Sequence, residues 1–561
     1  MRSAITALLA MAVAPAIAPA VSPVMLTAPE RAAARTINAD LLRGHIRFLS
    51  SDLLGGRGPA TPGDRLAQQY IAAQMEAAGL QPGAPGGGWL QPLDIVGITS
   101  HNPEVATVSK GGDKVDLKYK DDYIAFSGVA TPEARLDNAE IVFVGYGIVA
   151  PEYQWDDYKG VDLKGKVLLM MNNDPASDPK LFAGKTRQYY GRWTYKYEIA
   201  AKKGAAGAII IHTEPSAGYK WQVVTSSWSG ENFTLPAEGQ PELQVQAWAT
   251  EEASRRIARL GGQDLDALRA AAEKRDFTPV SLGVSLSLTL RNDVQKKQTA
   301  NVIGKLPGRD PILGKEAVLY TAHHDHLGLR EATKPGEDVI YNGARDNASG
   351  VAAVLAIARA MKALPLAPRR TILFAAVAGE EQGLLGSAYL AAHPPVPIGL
   401  LAANINIDEL GIWGRTRDMI MIGKGKSTLD TVVEAIAAAQ GGRRIVADQN
   451  PDKGYFYRSD QFNLAKVGVP AAYFDSGTEV IGKPAGWGKQ KIEEWEAKDY
   501  HQPSDELRDD WDLAGAVEDV RLDFWLGARV ANADRMPEWN RGDEFEAARK
   551  KALAAVGAAQ P

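Results

Sequence analysis

Cysteine is absent from all 561 residues. That excludes disulfides, thiolate nucleophiles, iron–sulfur clusters and any cysteine-held zinc site. A metal bound here must rest on His, Asp, Glu or carbonyl oxygen. An excess of one charge is missing too: 63 Lys and Arg face 68 Asp and Glu, a net of −5. Such a balance gives no field that gathers nucleic acid or an anionic membrane. Beyond the N-terminus no apolar run reaches the roughly 18 residues a membrane-spanning helix needs. What is present, 45% hydrophobic and 23% charged residues, describes a folded rather than a disordered chain. Its length exceeds what one core usually serves, so two or three domains are expected.

The chain opens on Met1-Arg2 and an apolar run from Ile5 to Val21 that closes on Ala18-Pro19-Ala20. A basic start, a short apolar stretch and a small-x-small end form a secretory signal, here residues 1–20. Pro15 and Pro19 argue against a membrane anchor, and without cysteine there is no lipid-attachment site. The expectation is a secreted or periplasmic protein with no membrane span in the mature chain.

From Asn38 to about Leu80 the apolar spacing is helical. Asp40 is placed to cap a first helix bearing Leu41, Leu42, Ile46 and Leu49, and a second bears Leu66, Tyr70, Ile71 and Met75. Between about 135 and 295 short apolar strands such as Ile141–Val144, Lys166–Met171 and Ala208–Ile211 dominate, and Val280 to Leu290 alternates. This segment holds no cluster of ligand-type residues, and its His212 reads as structural. From Val302 to about Ala533 strands alternate with helices: Ala317–Asp325, Ala348–Ala363, Thr371–Val377, Leu384–Ala392 and Leu400–Ile407. That rhythm predicts an α/β fold, a mostly parallel mixed sheet sandwiched by helices. Ligand sites in such sheets lie beyond the carboxyl ends of the strands. The organisation expected is a discontinuous domain of residues 36–134 and 296–534, a β-rich insert of 135–295, and a charged tail of 535–561 that is a solvated helix or a frayed end.

Chemistry-bearing residues fall where these strands stop. His323-His324-Asp325-His326 ends the first; alternation sends His323 and Asp325 to one face and His324 and His326 to the other. The first pair suits a metal ligand with a carboxylate behind it, or else a polar loop. Asn342 to Gly350 (NGARDNASG) leads into a helix, and a helix cap alone would account for Asp346 or Asn347. Gly379-Glu380-Glu381-Gln382-Gly383 follows a buried strand, Asp408-Glu409 ends another, and Asp499-Tyr500-His501-Gln502-Pro503-Ser504-Asp505 is turn-rich. Together they make the inventory of a two-metal site of nitrogen and oxygen ligands.

In order, these stretches resemble the motifs of the M28 family of co-catalytic dizinc aminopeptidases. The resemblance takes in Phe48 to Arg57 as well, and 135–295 resembles a protease-associated (PA) domain through Gly145-Tyr146-Gly147-Ile148, Trp155-Asp156-Asp157-Tyr158 and Gly204 to Ala208. It implies a zinc-exopeptidase-like fold and two Zn2+ per chain, with Co2+ or Mn2+ as possible substitutes. It implies that His323 and Asp408 hold one ion, Glu381 and His501 the other, and that Asp346 bridges them. Asp325 would fix the ring of His323. Glu380 would be the general base that takes a proton from the bridging water and gives it to the leaving amine. Tyr455 and Tyr457 are the candidates for an oxyanion donor. Two positions depart from the family pattern: Arg345 precedes Asp346, and Glu409 follows Asp408, both expected at the site mouth.

The implied activity is release of N-terminal residues from peptides. A dizinc carboxypeptidase or dipeptidase, with Arg345 or Arg458 clamping a substrate carboxylate, is the alternative. A non-catalytic binding protein on the same scaffold would be expected to have lost ligands or base, and all are present. A Walker-type phosphate loop and a Gly-x-Ser-x-Gly elbow are both missing, which sets aside nucleotide and serine-hydrolase chemistry.

Overall fold

The computed structural model describes residues 25–332 and 334–558, so the expected signal segment lies outside the described residues. Helix α1 (Ala39–Leu49) buries Leu42, His45, Ile46 and Leu49, one face at helical spacing. Its cap is Asn38, whose side chain accepts from Leu41 N at 3.0 Å, and not Asp40, which falls in the first turn. Helix α2 (Pro62–Ala77) starts on a Thr61 cap followed by proline, which lacks the N–H that a first turn would leave unpaired.

A run of strands follows: β1 (Leu90–His101), β2 (Val105–Lys110), β3 (Tyr123–Ser127), β4 (Glu133–Phe143) and β5 (Val167–Met171). Helix α3 (Trp193–Lys202) separates β5 from β6 (Gly207–His212), and β7 (Val245–Thr250) comes next. Strands β4, β5, β6 and β7 pair side by side in parallel, and β3 joins β7 antiparallel. The insert is therefore mixed rather than simply β-rich, and its sheet draws on strands that precede residue 135. His212, at the end of β6, gives its Nε2 to Tyr219 O at 3.0 Å and packs on Trp221 and Trp248.

One long strand ties insert and main sheet together. Strand β8 (Val280–Leu306) pairs antiparallel with β4 from Val280 to Arg291 and with β1 from Arg291 to Val302. Leu282, Val284, Leu286, Leu288 and Leu290 are buried between exposed neighbours, as a half-covered antiparallel strand requires.

The main sheet adds β9 (Ala317–His323), β10 (Thr371–Val377), β11 (Leu401–Asn406), β12 (Asp418–Ile422), β13 (Arg444–Ala447) and β14 (Ala471–Ser476). The order is β8-β10-β9-β11-β14-β12-β13, parallel except where β8 meets β10 and β14 meets β12. Every residue of β9, β10 and β11 is buried, which fits their unbroken apolar runs. Helices α4 (Gly350–Lys362) and α5 (Ala514–Asn532) pack on one face. The alanines of α4 let it sit buried on nearly every side.

The tail forms the helix that one of its two expected states allowed, solvated along most of its length but anchored. It carries helix α6 (Glu546–Ala558), docked by Arg549, whose buried guanidinium donates to Leu401 O at 2.9 Å. Trp539 is buried as well and donates to Gly468 O at 3.0 Å. Among the described residues no helix is long and apolar enough to cross a membrane.

Candidate metal centre

Parallel pairing explains why residues far apart in sequence meet. Strands β9, β10 and β11 end at the same sheet edge, with His323 level with Val377 and Thr321 level with Asn406. Two to four residues past those ends the chain places Glu380, Glu381 and Asp408. The loop before α4 supplies Asp346 from above this edge, and a turn supplies His501.

The loop around Asp346 is held from several sides. Asn347 donates to Ile407 O at 3.1 Å and accepts from Gly350 N and Glu409 N at 2.9 and 3.1 Å. Ser349 accepts from Leu410 N and donates to Arg345 O. A side chain at Gly350 would stand 2.4 Å from Ile407 O, so only glycine allows this approach. The carboxylate of Asp505 accepts from the backbone N–H groups of Arg345 and Asp346 at 3.0 Å each. Sequence reading quoted Asp505 within a motif but gave it no task.

Four distances define the centre. His323 Nε2 lies 3.2 Å from Asp346 Oδ1 and 3.2 Å from Asp408 Oδ1. His501 Nε2 lies 3.2 Å from Asp346 Oδ2 and 3.1 Å from Glu381 Oε2. Ligands about 2.0 Å from a tetrahedral zinc stand roughly 3.3 Å apart. The donor set thus fits two ions, one beside each oxygen of Asp346. His323 is buried, His501 half-buried and stacked on Tyr500 at 3.9 Å between ring centres. His501 and Glu409 both adopt left-handed backbone, φ 56° and 64°, a conformation costly for side-chain-bearing residues and concentrated at functional sites.

Electrostatics follows the same partition. Burial alone would raise Asp346, yet hydrogen bonds from His323 and His501 hold its carboxyl well below the usual range. Burial would lower both histidines, but the facing carboxylates, Asp408 for His323 and Glu381 for His501, lift them well above 6.5. Glu380 behaves oppositely. Burial raises it well above the carboxylate range, and Asp408, Glu381 and Asp460 add to the rise against the opposing His323. Its side chain makes no hydrogen bond or ion pair to any described residue.

Several expectations change. Asp325 does not bond the ring of His323 through its carboxylate, which stays 3.8 Å away; the ring Nδ1 meets the Asp325 carbonyl at 3.2 Å instead. The carboxylate faces the backbone N–H groups of Glu380 and Glu381, at 3.1 and 3.4 Å, and so positions the two glutamates. His324 keeps to the opposite face and meets Asp64 at 2.9 Å. His326 does not, because β9 ends at His323 and alternation ends with it; its ring turns back to Glu381. Arg345 and Glu409 do not line the mouth but pair with each other at 3.1 Å. The guanidinium also donates to Leu410 O and lies over Trp495 and Trp413. Tyr457 is buried and spends its hydroxyl on Glu544 at 2.5 Å, which removes it as an oxyanion donor. Tyr455 stacks under Arg458.

Beneath the centre sits Arg57, buried, donating to the carbonyls of Leu49, His324, Asn342 and Gly343. It fastens the N-terminal loop to both ligand-bearing loops. Arg57→Met keeps the length and removes every donor. We expect a loss of at least about 3 kcal/mol in urea unfolding, since buried charge-assisted bonds are lost together. A change under 0.5 kcal/mol would show that solvent replaces these bonds.

Residues 301–525 match the family model described as Peptidase family M28. Among curated proteins, aminopeptidase YwaD of Bacillus subtilis (strain 168) is 27% identical over 228 residues, 39% of this chain and 42% of its own length. A probable zinc metalloprotease of Pyrenophora tritici-repentis (strain Pt-1C-BFP) is 49% identical over 69 residues, 12% of this chain and 15% of its own. The chain thus spans less than half the length of either relative. Among solved structures, an aminopeptidase from Aneurinibacillus sp. strain AM-1 is 21% identical, covering 90% of this chain and 96% of its own, at a TM-score of 0.46. A peptidase M28 precursor from Shewanella amazonensis SB2B is 18% identical, covering 91% and 98%, at 0.42.

Proposed function

We propose, since residues 301–525 belong to peptidase family M28, that this chain is a zinc-dependent aminopeptidase that releases N-terminal residues from peptides. One observation carries the reading. The two oxygens of Asp346 meet two different histidines, His323 and His501, each at 3.2 Å, so that one carboxylate serves two ion positions. Two zinc ions held there would acidify a shared water and polarise the scissile carbonyl. The chain's own residues do the rest. His323 and Asp408 complete one position, Glu381 and His501 the other. Glu380, without a partner of its own, accepts a proton at its carboxylate and returns it to the leaving amine. Asp325 keeps Glu380 and Glu381 in place through their backbone N–H groups.

The direct test sets leucine anilide beside N-blocked dipeptides, with metal analysis of the same preparation. The account expects two zinc per chain and turnover of the free-amine substrate alone. Turnover confined to the blocked dipeptides would reverse the polarity and make the enzyme a carboxypeptidase. Arg345 is spent on Glu409, but Arg458 is exposed and has no ion-pair partner among the described residues, which is the observation in favour of that second reading. Export to the periplasm or medium belongs to the same proposal and is supported by the N-terminal sequence. So does the likeness of residues 135–295 to a PA domain, supported by the motifs quoted above.

A further inference from the structure

We propose that His326 is a positioning residue for the second ion, acting through Glu381; this rests on the two-ion reading above. The mechanism leaves His326 idle, yet its surroundings are built. The ring is fully buried, with Nδ1 2.6 Å from Glu381 Oε1. The other oxygen of that carboxylate, Oε2, faces His501. Glu381 thus faces a buried imidazole at one oxygen and is left with the other for an ion. His326, Asp346 and Glu381 offer donor atoms that all lie within 4.8 Å of one another.

The seat of the ring is specific. Its backbone N–H reaches Arg57 O at 3.3 Å, and a side chain at Gly343 would stand 2.6 Å from the ring, so glycine is required there. The His326 and His501 rings meet edge to face, 5.7 Å between centres at 76°. Neither ring nitrogen of His326, nor Oε1 of Glu381, meets hydrogen-bond geometry with any described residue, and the 2.6 Å approach of Nδ1 to Oε1 is a close contact not yet aligned as a bond. Three buried polar atoms without other partners are costly unless they serve one another or an ion. A small rotation of the ring or the carboxylate that aligns Nδ1–H with Oε1 would satisfy two of them at once. The bond so formed also stops the carboxylate from rotating both oxygens onto the second ion, which keeps a coordination position open there. Outer partners of metal-bound carboxylates are commonly worth 10–100-fold in metal affinity.

The test measures zinc stoichiometry and affinity, by elemental analysis and chelator competition, in the wild type and three variants. His326→Ala and His326→Leu remove the donor, the second while filling the space. His326→Asn keeps an N–H close to where Nδ1 stood. Two zinc per wild-type chain are expected, with the second bound about 10–100-fold more weakly in the Ala and Leu variants and the first unchanged. The Asn variant should lie within a few-fold of wild type. Unaltered affinity in the Ala and Leu variants would refute the role of His326 while leaving the two-ion reading standing. An Asn variant as weak as Ala would refute it too, because it would mean that the ring binds the ion directly. Fewer than two zinc in the wild type would bring down both readings together.

Discussion

Glu380→Gln lowers kcat on leucine anilide by about three orders of magnitude while both zinc ions stay bound. The change preserves size and deletes a proton acceptor, and general-base catalysis of this kind contributes roughly 10²–10⁴-fold. The expectation rests on the isolation of Glu380. Its side chain has no hydrogen-bond partner among the described residues, and burial with three neighbouring acids raises its affinity for a proton. Bound dications would pull the other way, which favours the ionised form that a base needs to take a proton. The neighbouring Glu381→Gln should behave differently, because Glu381 faces His501 at 3.1 Å and holds an ion. There zinc content falls as well. Turnover unchanged in Glu380→Gln, or zinc lost from it, would remove Glu380 from the role of base.

Chelation abolishes activity and lowers the melting temperature on the order of 10 °C, and zinc restores both. Without ions, Asp346, Glu381 and Asp408 crowd one edge of a buried sheet, compensated in the main by His323, His501 and His326. An ion present at a thousand times its dissociation constant stabilises the folded state by about 4 kcal/mol per site. Two sites spread over a unit of this size give the shift quoted. The histidines add a pH signature. In the ion-free centre the facing carboxylates raise their proton affinity above its ordinary value, so they hold protons more tightly than free imidazole does. Ligation requires neutral imidazole, so zinc binding releases up to two protons and weakens as pH falls. Calorimetry in buffers of differing ionisation enthalpy counts them. No proton release and no loss of stability on chelation would contradict this picture of the centre.

The edge on which the centre lies was legible in the sequence, because three buried runs each stop on an acid or a histidine, and parallel strands end on one side. His323, Glu381 and Asp408 stand at those strand ends, Asp346 and His501 lie in a loop before a helix and in a turn, and the ligand roles of all five are what the family resemblance implies. What escaped notice depends on where a strand stops being a strand. The alternation that places His324 correctly fails for His326 three residues past the end of β9, and no local signal marks that end. Partners distant in sequence escaped for another reason. Arg345 and Glu409 look like two separate anomalies until the fold pairs them. Tyr457 looks free until the tail brings Glu544 to its hydroxyl. The tail itself reads as solvated because its charge hides Trp539 and Arg549, which are buried only by contact with a surface that other segments build.

Anomalous X-ray scattering at the zinc edge, from crystals of the purified protein, bears most directly on the centre as described. The account predicts two peaks about 3.5–4 Å apart, one between His323, Asp346 and Asp408, the other between Asp346, Glu381 and His501. A single peak, or two that Asp346 does not separate, would contradict it.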